Sequence, residues 1–211
     1  MTEASGVLLG LALLFSALDW VAVARRLSAL EYGCKPAAAL AFLATAIALD
    51  PASGAARTWC CLALAFCVLG DVFLMLPTDA FVLGLAAFAA AQISFTVNFA
   101  VQDPTMTRLV IGLVVVLPVV LMLARRYLGA LKAGEETAMI LPVMLYMAVI
   151  AAMVVSAIAG GTAFGIVGAV LFLTSDSLIA EHRFVSPRTW QPVAVIITYH
   201  LALTGLVLGL L

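Results

Sequence analysis

Charge is what this chain has least of. Only 10% of its 211 residues are charged while 66% are hydrophobic, and the mean hydropathy is +1.25. A soluble domain carries about 25% charged residues, so there is too little charge here to coat a water-facing surface, and lipid is the expected solvent. Net charge is lacking as well. At −1 the chain has no basic face of the kind nucleic acid requires, and no nucleic-acid partner is expected. No Gly-x-Ser-x-Gly elbow, His-Glu-x-x-His pair or phosphate-binding glycine loop occurs in the sequence. Serine-nucleophile and metal mechanisms therefore have no support, and neither metal nor cofactor is expected. The four cysteines, Cys34, Cys60, Cys61 and Cys67, form no Cys-x-x-Cys pair and read as small apolar packing residues.

What is present is a series of apolar runs with short polar breaks, at 6–23, 36–49, 59–76, 80–101, 109–123, 138–158, 162–180 and 192–211. Most have the length that crosses ~30 Å of hydrocarbon at about 1.5 Å per residue. The second run is short for a span and is expected either to extend back past Cys34 or to sit in a thinned region of the membrane. Weak breaks fall at Pro77-Thr78-Asp79 and Gly160-Gly161. Continuous runs in lipid select helices over barrels. The expected fold is all-α, a polytopic transmembrane bundle of about eight spans forming a single domain over residues 1–211.

Orientation follows from the basic residues. Loops after odd-numbered spans hold Arg25, Arg26, Lys35, Arg125, Arg126, Lys132, Arg183 and Arg188, while the other side holds Arg57 and Arg108. Eight against two places the odd loops in the cytoplasm and both termini outside. Glu3 precedes the first apolar run and Arg25 and Arg26 follow it, the charge order of an uncleaved span rather than a signal peptide. A parallel four-plus-four repeat is suggested by Ala24-Arg25-Arg26 against Ala124-Arg125-Arg126, and by Gly70-Asp71 against Ser175-Asp176. The alternative is coincidence, because arginine pairs commonly end spans on the inside.

Intramembrane ionisable groups cost about 2.5 to 3.5 kcal/mol each at a helix centre, which makes them functional candidates. Asp71 lies five residues before Leu76 and Asp176 four before Ala180. Both carboxyl groups should sit roughly 6–8 Å inside the cytoplasmic boundary. At one level in an apolar bundle such a pair can divide into an acid and a base; the alternative is hydrogen bonding between helices. Asp19 is a third site carboxylate or an interfacial partner of Arg25 or Arg26. Lys35, opening span two, contacts a phosphate or a site aspartate, or else snorkels as an anchor. Gln92 and His200 fall near mid-membrane, with Tyr146 in span six, and such groups serve either a site or the contacts between helices. Glu181-His182-Arg183 read as solvated loop.

Further motifs run in order along the chain: Lys35-Pro36; Gly70-Asp71, Leu74-Met75 and Pro77; Phe81, Gly84, Leu85 and Phe88; Gly168-Ala169, Phe172 and Ser175-Asp176; Arg183-Phe184; and Tyr199. In order and spacing they resemble the YhhN-like lysoplasmalogenase family of eight-span membrane proteins of bacteria and animals. This chain has Gln92 where the family tends to have His, and Tyr199-His200-Leu201-Ala202-Leu203 where it tends to have Tyr-Tyr-x-Ala-Gln. The resemblance implies hydrolysis of the vinyl-ether bond of lysoplasmalogens, giving a fatty aldehyde and a glycerophospho-ethanolamine or -choline. It keeps Asp71 and Asp176 as the catalytic pair, and the candidate substrate-binding or supporting groups beside them are Lys35, Asp19, Gln92, Tyr146, Ser175, Tyr199 and His200. The expected partners are a lysophospholipid substrate and the bilayer, and the expected setting is a bacterial inner membrane. A small proton-coupled transporter would use the same intramembrane carboxylates, and a scaffold would use them only to pack helices.

Overall fold

The structure, a computed structural model, describes residues 2–76, 78 and 80–211. Pro77 and Asp79, where a break was expected between spans three and four, lie outside the described residues. The described chain is helical, without strands, in the order α1 (Glu3–Arg25), α2 (Ser28–Ala48), α3 (Gly54–Met75), α4 (Phe81–Ala100), α5 (Met106–Ala133), a short turn of helix (Thr137–Met139), α6 (Ile140–Gly160), α7 (Ala163–Ala180), a wider turn (Glu181–Val185) and α8 (Gln191–Leu208). Seven of these are long and apolar enough to cross a membrane. The exception is α2, which is 21 residues long but carries Glu31, Lys35 and Pro36. This is the architecture of an integral, multi-pass membrane protein.

Helix starts differ between the two faces of the bundle. On one face Thr2, Ser53, Thr105 and Thr162 each accept a backbone N–H in the first turn of α1, α3, α5 and α7, satisfying donors that the helix itself leaves open. The helices that start on the opposite face have no such cap. The capped face is tied together by Thr2 Oγ1 donating to Ala48 O (3.3 Å), Arg57 to Leu49 O (2.9 Å), Arg108 to Gly161 O (2.6 Å) and Thr162 to Gly209 O (3.4 Å). Both ends of the helical chain therefore lie on this face.

Packing neighbours run α1–α2–α3–α4–α6–α7–α8 and back to α1, with α8 also touching α2 and α3. Helix α5 stands outside this ring, against α6 and the turn at Glu181–Val185. The ring closes where α7 and α8 approach through glycine. A Cβ at Gly168 would meet Leu206 N at 2.7 Å and Ala202 O at 2.8 Å, and one at Gly205 would meet Gly168 Cα at 2.8 Å. Small residues of this kind allow backbones to touch where lipid supplies no hydrophobic drive.

Three expectations change. Helix α2 starts at Ser28, so Lys35 lies seven residues inside it and does not open it. Pro36 lies in the third turn, inside the helix, where packing against neighbouring helices makes it tolerable. The expected loop at 125–136 is mostly helix, since α5 meets no stop signal until Gly134, and Tyr127 and Leu131, four apart, bury one face of the extension. The arginine pairs of the suggested repeat are therefore not equivalent. Arg26 caps α1 in the left-handed region (φ 56), whereas Arg125 and Arg126 lie inside α5. Finally, Glu181-His182-Arg183 is not a loop but a helical turn that continues α7, partly exposed at its end. Arg126 grips Glu181 with two hydrogen bonds of 2.8 and 2.5 Å, and His182 Nδ1 lies 2.9 Å from Gln191 Oε1. The Arg183 guanidinium stacks 4.1 Å from the Phe81 ring centre.

Candidate active site

Asp71 and Asp176 each lie four residues before the last residue of their helices, Met75 and Ala180. The two helices run in the same direction, so one rise per residue puts both carboxyl groups about 6 Å inside the same face. The two carboxyl groups thus stand equally far from the ends of α3 and α7.

Around Asp71 the bundle is closed. The carboxylate is 1% exposed; Tyr199 Oη donates to Oδ2 at 2.8 Å, and Lys35 Nζ lies 3.7 Å from Oδ1. The Tyr199 ring is held by the edges of Phe172 and Phe88, with centres 5.6 and 5.9 Å away. Next in sequence, His200 accepts from Trp20 Nε1 through Nδ1 at 3.1 Å, while its buried Nε2 has no hydrogen-bond partner among the described residues. Asp19 is fully buried on the stripe of α1 that includes Ser16 and Ala22, and neither of its oxygens is hydrogen-bonded among the described residues. It lies within electrostatic reach of Lys35 and Asp71. The expected alternative of an interfacial partner for Arg25 or Arg26 is set aside, because both arginines point outward, away from that stripe. Lys35 thus pairs with Asp71, while Asp19 stands near both and is not bonded to either among the described residues.

Asp176 has a different setting. It accepts a hydrogen bond from Tyr146 on α6 and is half-buried. It lines an apolar slot between α4, α6 and α7 whose walls include Leu85, Phe88, Val143, Ile150, Leu173 and Phe184. Gln92 stands near the Tyr146 hydroxyl, and neither its amide nitrogen nor its amide oxygen is hydrogen-bonded among the described residues. Ser175, adjacent in sequence, turns away and donates to Val195 O at 3.0 Å, tying α7 to α8.

The two carboxylates are therefore served by different tyrosines from different helices. Leu74, Phe81 and Ile179 line both the apolar slot and a second cavity whose polar lining is Glu31, Lys35, His182 and Arg183. These three side chains form the partition between an apolar and a charged compartment. Sequence reasoning missed Trp20, which carries no motif, and gave Phe81 no part in the site although it stands in one of the motifs. It also gave Cys67 only a packing role, although this thiol lies one turn before Asp71 and within reach of both Asp71 and Asp176. Among the described residues no group of three or more His, Cys, Asp or Glu is arranged to hold a metal ion. Such an arrangement can bind an amphiphile at the partition and move protons through carboxyl groups.

The YhhN family model matches residues 30–210. Human lysoplasmalogenase TMEM86B is 31% identical over 142 residues, which are 66% of this chain and 58% of the human protein. The chain thus spans somewhat less than two thirds of that relative's length. No solved structure matches.

Proposed function

The chain belongs to the YhhN family, and from that premise we propose that it is a membrane-embedded hydrolase cleaving the vinyl ether of lysoplasmalogens by aspartate acid–base chemistry. The observation that carries this reading is the partition at Leu74, Phe81 and Ile179, with an apolar slot ending on Asp176 to one side and a charged mouth at Lys35 to the other. An alkenyl lysophospholipid has the same division, and its vinyl ether joins the two parts. With its chain in the slot and its phosphate near Lys35, the reacting bond lies at the partition beside Asp176, with Asp71 behind the Lys35 that lines the mouth.

The roles divide by neighbours. Asp71 faces an ammonium at 3.7 Å and a tyrosine donor at 2.8 Å, so it acts as the carboxylate. Asp176 is bonded by the neutral Tyr146 and opens on an apolar slot, so it acts as the acid. Asp176 gives its proton to the alkene carbon away from the ether oxygen, and the carbon attached to oxygen becomes an oxocarbenium ion. The negative charge of Asp71 stabilises that ion and takes a proton from the attacking water. The hemiacetal then collapses; its hydroxyl becomes the aldehyde carbonyl as the glycerol oxygen leaves with a proton. One water is consumed, and a fatty aldehyde and a glycerophospho-alcohol are released. By the bias of basic residues, the face that carries this mouth is cytoplasmic and the capped face with both termini is not.

The test is to incubate purified protein with alkenyl and acyl lysophospholipids of equal chain length in D₂O, with the aldehyde trapped as it forms. Aldehyde from the alkenyl lipid alone, with one deuterium at its α carbon, is expected. Absence of aldehyde overturns the hydrolase reading, and aldehyde without deuterium overturns protonation at carbon.

A further inference from the structure

The charged mouth contains one carboxylate that the proposed chemistry does not use. Glu31 and Lys35 are four residues apart on α2, the spacing at which a glutamate ordinarily pairs with a following lysine. Here Lys35 is turned inward to Asp71, with its side chain only 15% exposed. Glu31, half-buried, has no ion pair among the described residues. It lines the mouth with Lys35, His182 and Arg183, and also the adjoining cavity with Arg26 and Arg188. It is the one acid among the described residues lining either space. A receptor built only for an anion would be weakened by a carboxylate in that position, because like charges repel. A zwitterion whose ammonium lies two carbons from its phosphate needs both signs side by side.

We propose that Glu31 and Lys35 form a subsite for a zwitterionic head group, with Glu31 taking the ammonium and Lys35 the phosphate. This rests on the lysophospholipid reading of the same site, and makes Glu31 a residue that selects ethanolamine- or choline-type heads over bare phosphate and other anionic heads. Rim contacts of this kind set specificity more than total affinity.

The experiment uses two saturated alkyl-ether lysolipids of equal chain length, which have no vinyl ether to cleave. One ends in phosphoethanolamine and the other in a phosphate monoester, and binding is measured on the full chain in nanodiscs. The wild type is expected to bind the ethanolamine lipid more tightly by about two- to fivefold, the scale of one partly exposed ionic contact. Glu31→Gln should abolish that preference and Glu31→Lys should reverse it. Binding of the phosphate monoester, which does not need Glu31, reports that each variant is folded. A wild type with no preference, or a Glu31→Gln protein that keeps it, overturns the subsite. Because neither lipid is hydrolysed, a failure of aldehyde release from alkenyl lipids would sink the hydrolase reading without touching this result.

Discussion

Tyr199 on α8 donates its hydroxyl to Asp71 on α3 at 2.8 Å, joining positions 128 residues apart in the chain. Tyr146 on α6 does the same for Asp176 on α7. A hydrogen bond to a charged group contributes about 1.5–3 kcal/mol, which converts to roughly ten- to a hundredfold in rate if the bond is made in the transition state. Tyr199→Phe and Tyr146→Phe keep the ring and remove the donor. Each should lower kcat by about tenfold or more while KM changes little, in steady-state assays of aldehyde release. A change confined to KM would make the tyrosines binding residues.

Lys35 touches Asp71 at 3.7 Å and also lines the mouth. Its removal should act twice. Lys35→Ala is expected to raise KM, through the lost phosphate contact, and also to lower kcat, through the uncompensated Asp71 and Asp19. Lys35→Arg should restore part of both, since charge is kept while geometry changes. Full activity in Lys35→Ala would assign this residue to membrane anchoring.

Much of this arrangement was legible in the sequence, for reasons particular to each element. The common depth of Asp71 and Asp176 follows from counting residues to a span end, because helical rise is constant. The pairing of each with its tyrosine was not legible. Sequence order gives no sign that α4 packs on α6 or that α8 enters among α1, α2 and α3. The lower ends of α2 and α5 were misjudged because they carry charge. Lys35, Arg125 and Arg126 looked like loop or span-end residues, yet nothing in those stretches breaks a helix. Asp19 resembled an interfacial acid only because Arg25 and Arg26 follow it; the buried stripe of α1 turns it inward.

Stability should depend on the glycine contact between α7 and α8, the helices that carry Asp176 and Tyr199. A Cβ at Gly168 would meet backbone atoms of α8 at 2.7 and 2.8 Å, and backbone cannot step aside as a flexible side chain can. Gly168→Val is expected to destabilise the bundle by about 1–3 kcal/mol or more, seen as a lower thermal midpoint in detergent together with lost activity. Gly10→Ala, where a Cβ meets nothing within 4 Å, should be neutral.

Topology is open to a simple check. Helix α5 runs to Ala133, so a reporter belongs at 134–136 and a second after Leu211. The first should read as cytoplasmic and the second as non-cytoplasmic. The same side for both would contradict the alternation of the eight helices.

The central claim is that Asp71 and Asp176 carry the chemistry, and the direct measurement is aldehyde release by Asp71→Asn and Asp176→Asn proteins shown to be folded and membrane-inserted. Asn preserves shape and some hydrogen bonding, so packing should change little, while proton transfer and negative charge are lost. Each single substitution is expected to cost at least ~10² in rate, the lower range for losing a general acid or base. The double variant should be little worse than either, because the two groups serve one step. Substantial aldehyde release by either folded single variant would contradict the account and leave that aspartate a packing role.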